Sequence, residues 1–253
     1  MYVVNFCMVL HPMESIKDIL VHTGMVRYLY ETQEQKLIYV ITEQFEKSIR
    51  KHYNDLPDLT YEVLTDFSSK SLLKLLMGKY KNIKNRMFFG PYDKYRFDSY
   101  KNICKDYDNK TFEPYTMYGF DQSIMFTHFL TCSCREDDVS LIKFFKSVAN
   151  WDYRLFSKAD LIPMDYKKNC VIAVNIDKIF NHTNFFNSLV LVDKTRYIHL
   201  TDRDDFSLFV YFIYKSQKYN HLFENTKVYL FHQDRVTHYE YPSNWKLIKY
   251  VPV

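Results

Sequence analysis

The sequence predicts an α/β fold class, with two small Rossmann-like blocks of mostly parallel sheet joined by an irregular middle segment. Three observations carry that expectation. The near-continuous apolar runs at 2–10 and 170–175 read as strands covered on both faces, which is how parallel strands are buried. Stretches with helical spacing alternate with such runs, as in a βαβ sheet. The alternation lapses after Gly90-Pro91 and restarts at Cys170.

In the first block the strand over 2–10 ends at His11-Pro12, because proline donates nothing to a ladder. Ser15 is the candidate N-cap of a helix over 16–30, where Ile16, Ile19, Leu20, Met25, Val26 and Leu29 approximate one face. A strand over 36–41, a charged helix over 43–53, a short strand over 61–64, a helix over 71–79 and a strand over 86–89 follow. From there to about Thr116 the chain is polar and tyrosine-rich, without a period. Residues 120–130 and 137–149 read as helices, and 154–168, with Pro163 and Lys167-Lys168, as a connector.

The second block predicts a strand over 170–175, a turn or short helix over 184–188, and strands over 189–192 and 197–200. An amphipathic helix over 204–216 starts from the cap region of Thr201 to Asp205. A final strand over 227–231 precedes an extended tail over 245–250. The division is therefore 1–125 for an N-terminal α/β block, 126–168 for a helical connector and 169–253 for a C-terminal α/β block.

Composition removes several function classes. The four glycines among 253 residues, Gly24, Gly78, Gly90 and Gly119, lie too far apart for a Rossmann glycine fingerprint or a Walker A loop. Any phosphate must be held by side chains, helix N-termini or non-glycine turns. A net charge of +4 is too mild to argue for nucleic acid. The five scattered cysteines suit a reducing compartment, and Cys132-Ser-Cys134 is too tight for a zinc pair. The histidines show no HExxH spacing and no Gly-x-Ser-x-Gly elbow occurs, so neither a metal, a cofactor nor a Ser–His–Asp triad is expected. No window reaches 18 apolar residues and no secretory leader is legible. The expected location is the cytoplasm, without a membrane span.

Three segments carry candidate chemistry. At the first strand-to-helix junction Asp18 is placed to act as a general base on a hydroxyl, with Lys17 or His22 steadying phosphate charge. The alternative is a first-turn acid complementing the helix dipole. In the second block His199 and Leu200 lead into Thr201-Asp202-Arg203-Asp204-Asp205, a helix start able to hold an anion without glycine. Thr201 offers a hydroxyl and Arg203 a planar fork suited to diphosphate. Asp202 and its neighbours must then pair with Arg203 or bind a cation; a cap with a local ion pair is the alternative. Third, Gly90 to Arg96, with Asp98 and Lys101, interleaves aromatics with both charge signs, which suits sugar or nucleotide contacts or a structured surface loop.

The run from Ser15 to Leu29, followed by Leu37-Ile-Tyr-Val-Ile41, resembles the start of the GT-B glycosyltransferases. The likeness is to the heptosyltransferase-like group and its short relatives in giant viruses and phages. Tyr197-Ile-His-Leu-Thr-Asp-Arg203 resembles that group's donor-side strand and turn, and Pro242-Ser-Asn-Trp-Lys246 its closing segment. The resemblance implies a GT-B-like fold, a catalytic carboxylate at Asp18, and donor contacts at Thr201, Asp202 and Arg203, with Lys17, His22 and His199 as further cleft candidates. It also implies a nucleotide-sugar donor, lying in a cleft between the blocks, and a glycan or other hydroxyl acceptor. Lys17 stands where the family has a glycine, and Asp202-Arg203 replaces a small Asp-Ser pair.

The expected function is a metal-independent glycosyltransferase. One alternative is a catalytically inactive GT-B-like protein serving a structural or interaction role, for example as a virion component. Its 18% aromatic content suits protein partners or a homo-oligomer. The bias towards Lys, Tyr, Phe, Asn and Ile is that of an AT-rich genome and agrees with a viral origin. Nucleic-acid binding through the Lys- and Tyr-rich stretch 79–110 is the weaker alternative.

Overall fold

The computed structural model describes residues 6–10, 15–32, 36–66, 68–88, 115, 118–131, 153–156, 172–175, 185–201, 205–232 and 242–249. The chain divides into two compact units, Met1–Leu130 and Thr131–Val253. Each is built on a parallel sheet, as the α/β pattern predicts.

The first unit runs β1 (Phe6–Leu10), α1 (Ile16–Thr32), β2 (Lys36–Thr42), a 3-10 turn, α2 (Glu46–His52), β3 (Thr60–Leu64), α3 (Ser69–Met77), β4 (Asn85–Phe88) and a short α4 (Ile124–Thr127). The sheet order is β3-β2-β1-β4, all parallel, with Cys7 opposite both Leu37 and Asn85. β1 is therefore internal, and Cys7, Met8, Val9 and Leu10 are buried on alternate faces. Met8, Leu10, Ile38 and Val40 meet Leu72 and Leu76 of α3, with Leu64, Leu75, Tyr80 and Ile83 at the margin. Because the β3-to-β4 connection runs back past β1, a right-handed crossover puts α3 on the opposite face from α1.

Two contacts fix α1. A Cβ on Gly24 would stand 2.7 Å from the Met125 carbonyl oxygen, so glycine is what lets α1 approach the α4 backbone. The fully buried Tyr115 puts its hydroxyl into the helix ladder, donating to Val21 O at 2.7 Å and accepting from Met25 N–H at 3.2 Å. Those are the two groups that an α-helix pairs with each other, so the phenol bonds to both ends of one rung.

The second unit contains β5 (Tyr153–Phe156), β6 (Ile172–Asn175), a 3-10 turn (Phe185–Ser188), α5 (Leu189–Lys194), β7 (Tyr197–Thr201), α6 (Asp205–Lys215), a 3-10 turn (Asn220–Phe223), β8 (Lys227–His232) and β9 (Lys246–Lys249). The order is β6-β5-β7-β8-β9, again all parallel. The hydroxyl of Tyr219 donates to Thr131 O at 2.8 Å and accepts from its N–H at 3.3 Å.

Several elements differ from the sequence reading. Residues 189–192, expected as a strand, form α5; a four-residue apolar run has no period that separates a strand from a buried helical turn. Tyr153–Phe156, expected as connector, is β5 and pairs with both β6 and β7. The tail contributes β9, a parallel edge strand carrying Lys246 and Lys249, charges that suit an exposed edge. Within 120–130 only Ile124–Thr127 is helical. The helix expected to be amphipathic, α6, is buried from Phe206 through Ile213, because it lies inside the unit rather than over it. The helix expected over 137–149 lies outside the described residues.

Candidate active site

Strand order locates the places where ligands gather. In an open parallel sheet the connections leave in opposite directions at the point where the order reverses, opening a crevice at the carboxyl ends of the two strands there. In the first sheet that point lies between β1 and β4, and in the second between β5 and β7. The chain leaving β1 begins α1 at Ile16, and the chain leaving β7 begins α6 at Asp205. Both junctions read from the sequence thus stand beside a switch point.

At the first junction Ser15 and Asp18 form a reciprocal cap. Asp18 Oδ2 accepts from the Ser15 N–H at 2.9 Å and from the Ser15 hydroxyl at 3.2 Å, and Asp18 N–H donates to Ser15 O at 3.2 Å. The acid's half of a capping box is thus present, while the Ser15 hydroxyl donates to the carboxylate rather than accepting from the Asp18 N–H. These bonds hold the half-buried carboxylate in one orientation at the opening of α1. The Asp18 charge is also felt at Tyr39, whose hydroxyl is held well above its usual range by burial first, then by Tyr53, Tyr61 and Asp18. Lys17 is half-buried beside it.

His22 lies one turn further along α1 and is only 3% exposed. Burial pushes its pKa down to about 3, so the ring is neutral near pH 7 and carries no charge to steady a phosphate.

The polar groups beneath α1 were not legible in the sequence. Thr23 Oγ1 donates its single proton to Ile19 O at 2.7 Å, so His52 Nε2, 2.9 Å away, must carry a hydrogen and donate to it. Burial, then the Arg27 charge, hold His52 well below its ordinary pKa, in keeping with that neutral tautomer. Arg27, buried at 1% exposure, forks onto Asp55 with Nη1–Oδ2 at 2.7 Å and Nη2–Oδ1 at 3.0 Å. It also donates to Leu130 O at 2.8 Å and His52 O at 3.1 Å, tying α1 to the end of α2 and to the end of the unit. The partners lie 25 to 103 residues away in sequence, beyond the reach of any local pattern.

At the second junction Thr201, the last residue of β7, is buried. The N–H groups that open α6 follow it in the chain, and a helix start of this kind can accept an anion. Asp202 and Arg203 lie outside the described residues, as does the segment from Gly90 to Arg96. His199, also buried, stacks on Tyr229 at 4.9 Å and 7° and lies near Phe231 at 6.0 Å and 23°. It belongs to an aromatic layer on the sheet face. Among the described residues no three His, Cys, Asp or Glu side chains cluster as a metal cage.

Comparison with solved structures places the chain by its backbone. A glycosyl transferase of family 9 from Veillonella parvula matches with a TM-score of 0.58 at 10% identity, over 97% of this chain and 85% of that one. The heptosyltransferase WaaC of E. coli, solved with ADP, matches at a TM-score of 0.43 and 8% identity, over 96% and 90% of the two chains. No protein-family model matches the sequence. No curated protein matches it. What is shared at this identity is architecture: two parallel α/β units in the GT-B-like fold of a family 9 glycosyltransferase.

Proposed function

We propose that this protein is a glycosyltransferase that moves a sugar from a nucleotide-sugar donor to a hydroxyl acceptor. The observation that carries the reading is the fold shared with a family 9 glycosyl transferase over 97% of the chain. Two strand-to-helix junctions beside switch points support it.

In this reading the first unit supplies the base. As the acceptor oxygen attacks the anomeric carbon, its O–H proton passes to the Asp18 carboxylate, which Ser15 holds in place. The new bond joins acceptor oxygen to anomeric carbon. The bond from that carbon to the donor phosphate breaks, and its electron pair leaves on the nucleoside diphosphate. In this reading the N–H groups that open α6 and the Arg203 side chain would meet that growing negative charge. Thr201 closes β7. His199 and the rings beside it keep that strand end packed. Charge stabilisation by protein groups alone suffices for this chemistry, so the reading uses no metal.

Calorimetric titration with the diphosphates of uridine, adenosine, guanosine and cytidine tests it. One of them binds with Kd below millimolar, and Arg203→Ala weakens that binding more than it weakens binding of the matching monophosphate. Failure of all four to bind at millimolar concentration overturns the proposal.

A further inference from the structure

We propose that the outer face of α3, with the turn that follows it, docks on an anionic lipid surface. The proposal is independent of sugar transfer and uses none of the residues assigned to it. α3 lays Leu72 and Leu76 on the first sheet, where both are buried against Met8 and Ile38. With successive residues about 100° apart, the opposite arc of the helix carries Lys70, Leu73, Lys74 and Met77. Leu73 is 46% exposed and Met77 72%, and the two lysines beside them are exposed as well. The turn after Gly78 adds exposed Lys81 and Lys84.

Charge complementarity names the partner. Between Asp66 and Asp93 the sequence has six basic residues and no acidic one. Among the described residues, Asp66, just before α3, accepts from Ser68 N–H at 2.9 Å and the Ser71 hydroxyl at 2.8 Å. Glu62 accepts from Lys79 and Tyr80. Lys70, Lys74, Lys81 and Lys84 have no acidic partner among the described residues.

A cationic ring explains attraction to phosphate of any source. Leucine and methionine at its centre explain more, because leaving them in water has a cost that insertion between lipid headgroups removes. Lysine stems lie along such an apolar patch while their ammonium groups reach the headgroup phosphates. A nucleic-acid backbone offers nothing for Leu73 and Met77 to bury against. Among the described residues no helix is long and apolar enough to cross a membrane, so the contact is interfacial.

Co-sedimentation of the full chain with vesicles tests this. The vesicles are phosphatidylcholine and phosphatidylserine at roughly 7:3, with pure phosphatidylcholine as the comparison, at about 0.1 M and about 0.5 M salt. The expected result is binding to the mixed vesicles at low salt, at least about tenfold weaker at high salt or without the anionic lipid. Each lysine near the surface contributes about a fivefold factor, so Lys74→Glu with Lys81→Glu lowers binding by at least about 25-fold. Leu73→Ser with Met77→Ser also lowers it at low salt; these side chains face water, so circular dichroism stays that of the parent. Absence of binding to the mixed vesicles at low salt overturns the proposal. So does retention of parent affinity by the Leu73/Met77 pair variant, and so does full displacement from vesicles by a single-stranded oligonucleotide that binds the pair variant equally well.

Discussion

Replacing Tyr115 by phenylalanine deletes one oxygen from inside α1 and nothing else. That oxygen donates to Val21 O at 2.7 Å and accepts from Met25 N–H at 3.2 Å, in a position with no exposure to solvent. Each bond contributes roughly 0.5–1.5 kcal/mol net, and each buried group left unsatisfied costs roughly 1–3 kcal/mol. Helix hydrogen bonding between Met25 N–H and Val21 O recovers part of this. The expected loss is about 2–4 kcal/mol, or roughly 5–15 °C in Tm for a chain of this size. Two units allow more than one transition, so the readout is the melting of the first unit together with hydrogen exchange at the Met25 amide. Faster exchange at Met25 with a Tm drop in that range is the expected result. A Tm change under about 1 °C with Met25 as protected as before would refute the inserted hydroxyl.

Other consequences can be checked alongside. Arg27→Ala takes the Arg27 donors from two carbonyls and from the exposed Asp55 and should cost about 2–4 kcal/mol in denaturant melts; Arg27→Lys should rescue little, because an ammonium cannot fork onto Asp55. Gly24→Ala drives a methyl group against the Ile124 and Met125 backbone and should cost about 1–3 kcal/mol, unless α4 moves away. His22 has its folded pKa lowered to about 3 from an ordinary 6.5, so the unfolded chain takes up the proton first as pH falls. Its contribution is complete above pH 6.5 and is lost towards about pH 3, at up to about 1.4 kcal/mol per pH unit. His22→Gln should flatten the acid limb of the stability profile by that amount, and an unchanged limb would contradict a neutral buried His22. Asp18→Asn keeps an acceptor oxygen for Ser15 N–H while removing the base, so Tm should move by under about 1 kcal/mol equivalent. Ser15→Ala removes one O–H donor to Asp18, should cost about 0.5–1.5 kcal/mol, and leaves the carboxylate in place.

What was legible in the sequence follows from what is local. Cys7 to Leu10, Lys36 to Ile41 and Lys227 to Phe231 are apolar because each strand is covered on both faces, so parallel pairing showed in composition alone. The junctions that hold Asp18 and Thr201 were legible because a strand end followed by a helix start is a local signal. β5 was missed because four residues reading Tyr-Arg-Leu-Phe carry too little period to separate strand from connector. The 189–192 run was misread for the same reason. The Arg27 fork and the Tyr115 insertion join residues 28 and 94 positions apart, and no spacing rule reaches that far. Of the tyrosine-rich middle, Tyr115 bonds to Val21 and Met25 of α1.

The measurement closest to the central claim is donor turnover by the parent chain and by Asp18→Asn. Nucleoside diphosphate release is followed across a panel of nucleotide sugars, with water and simple glycosides as acceptors. The expected result is release from one donor class, with Asp18→Asn binding that nucleoside diphosphate as the parent does but turning over about 10²–10⁴-fold more slowly. Equal turnover by parent and variant, or no turnover and no diphosphate binding by either, would contradict the account.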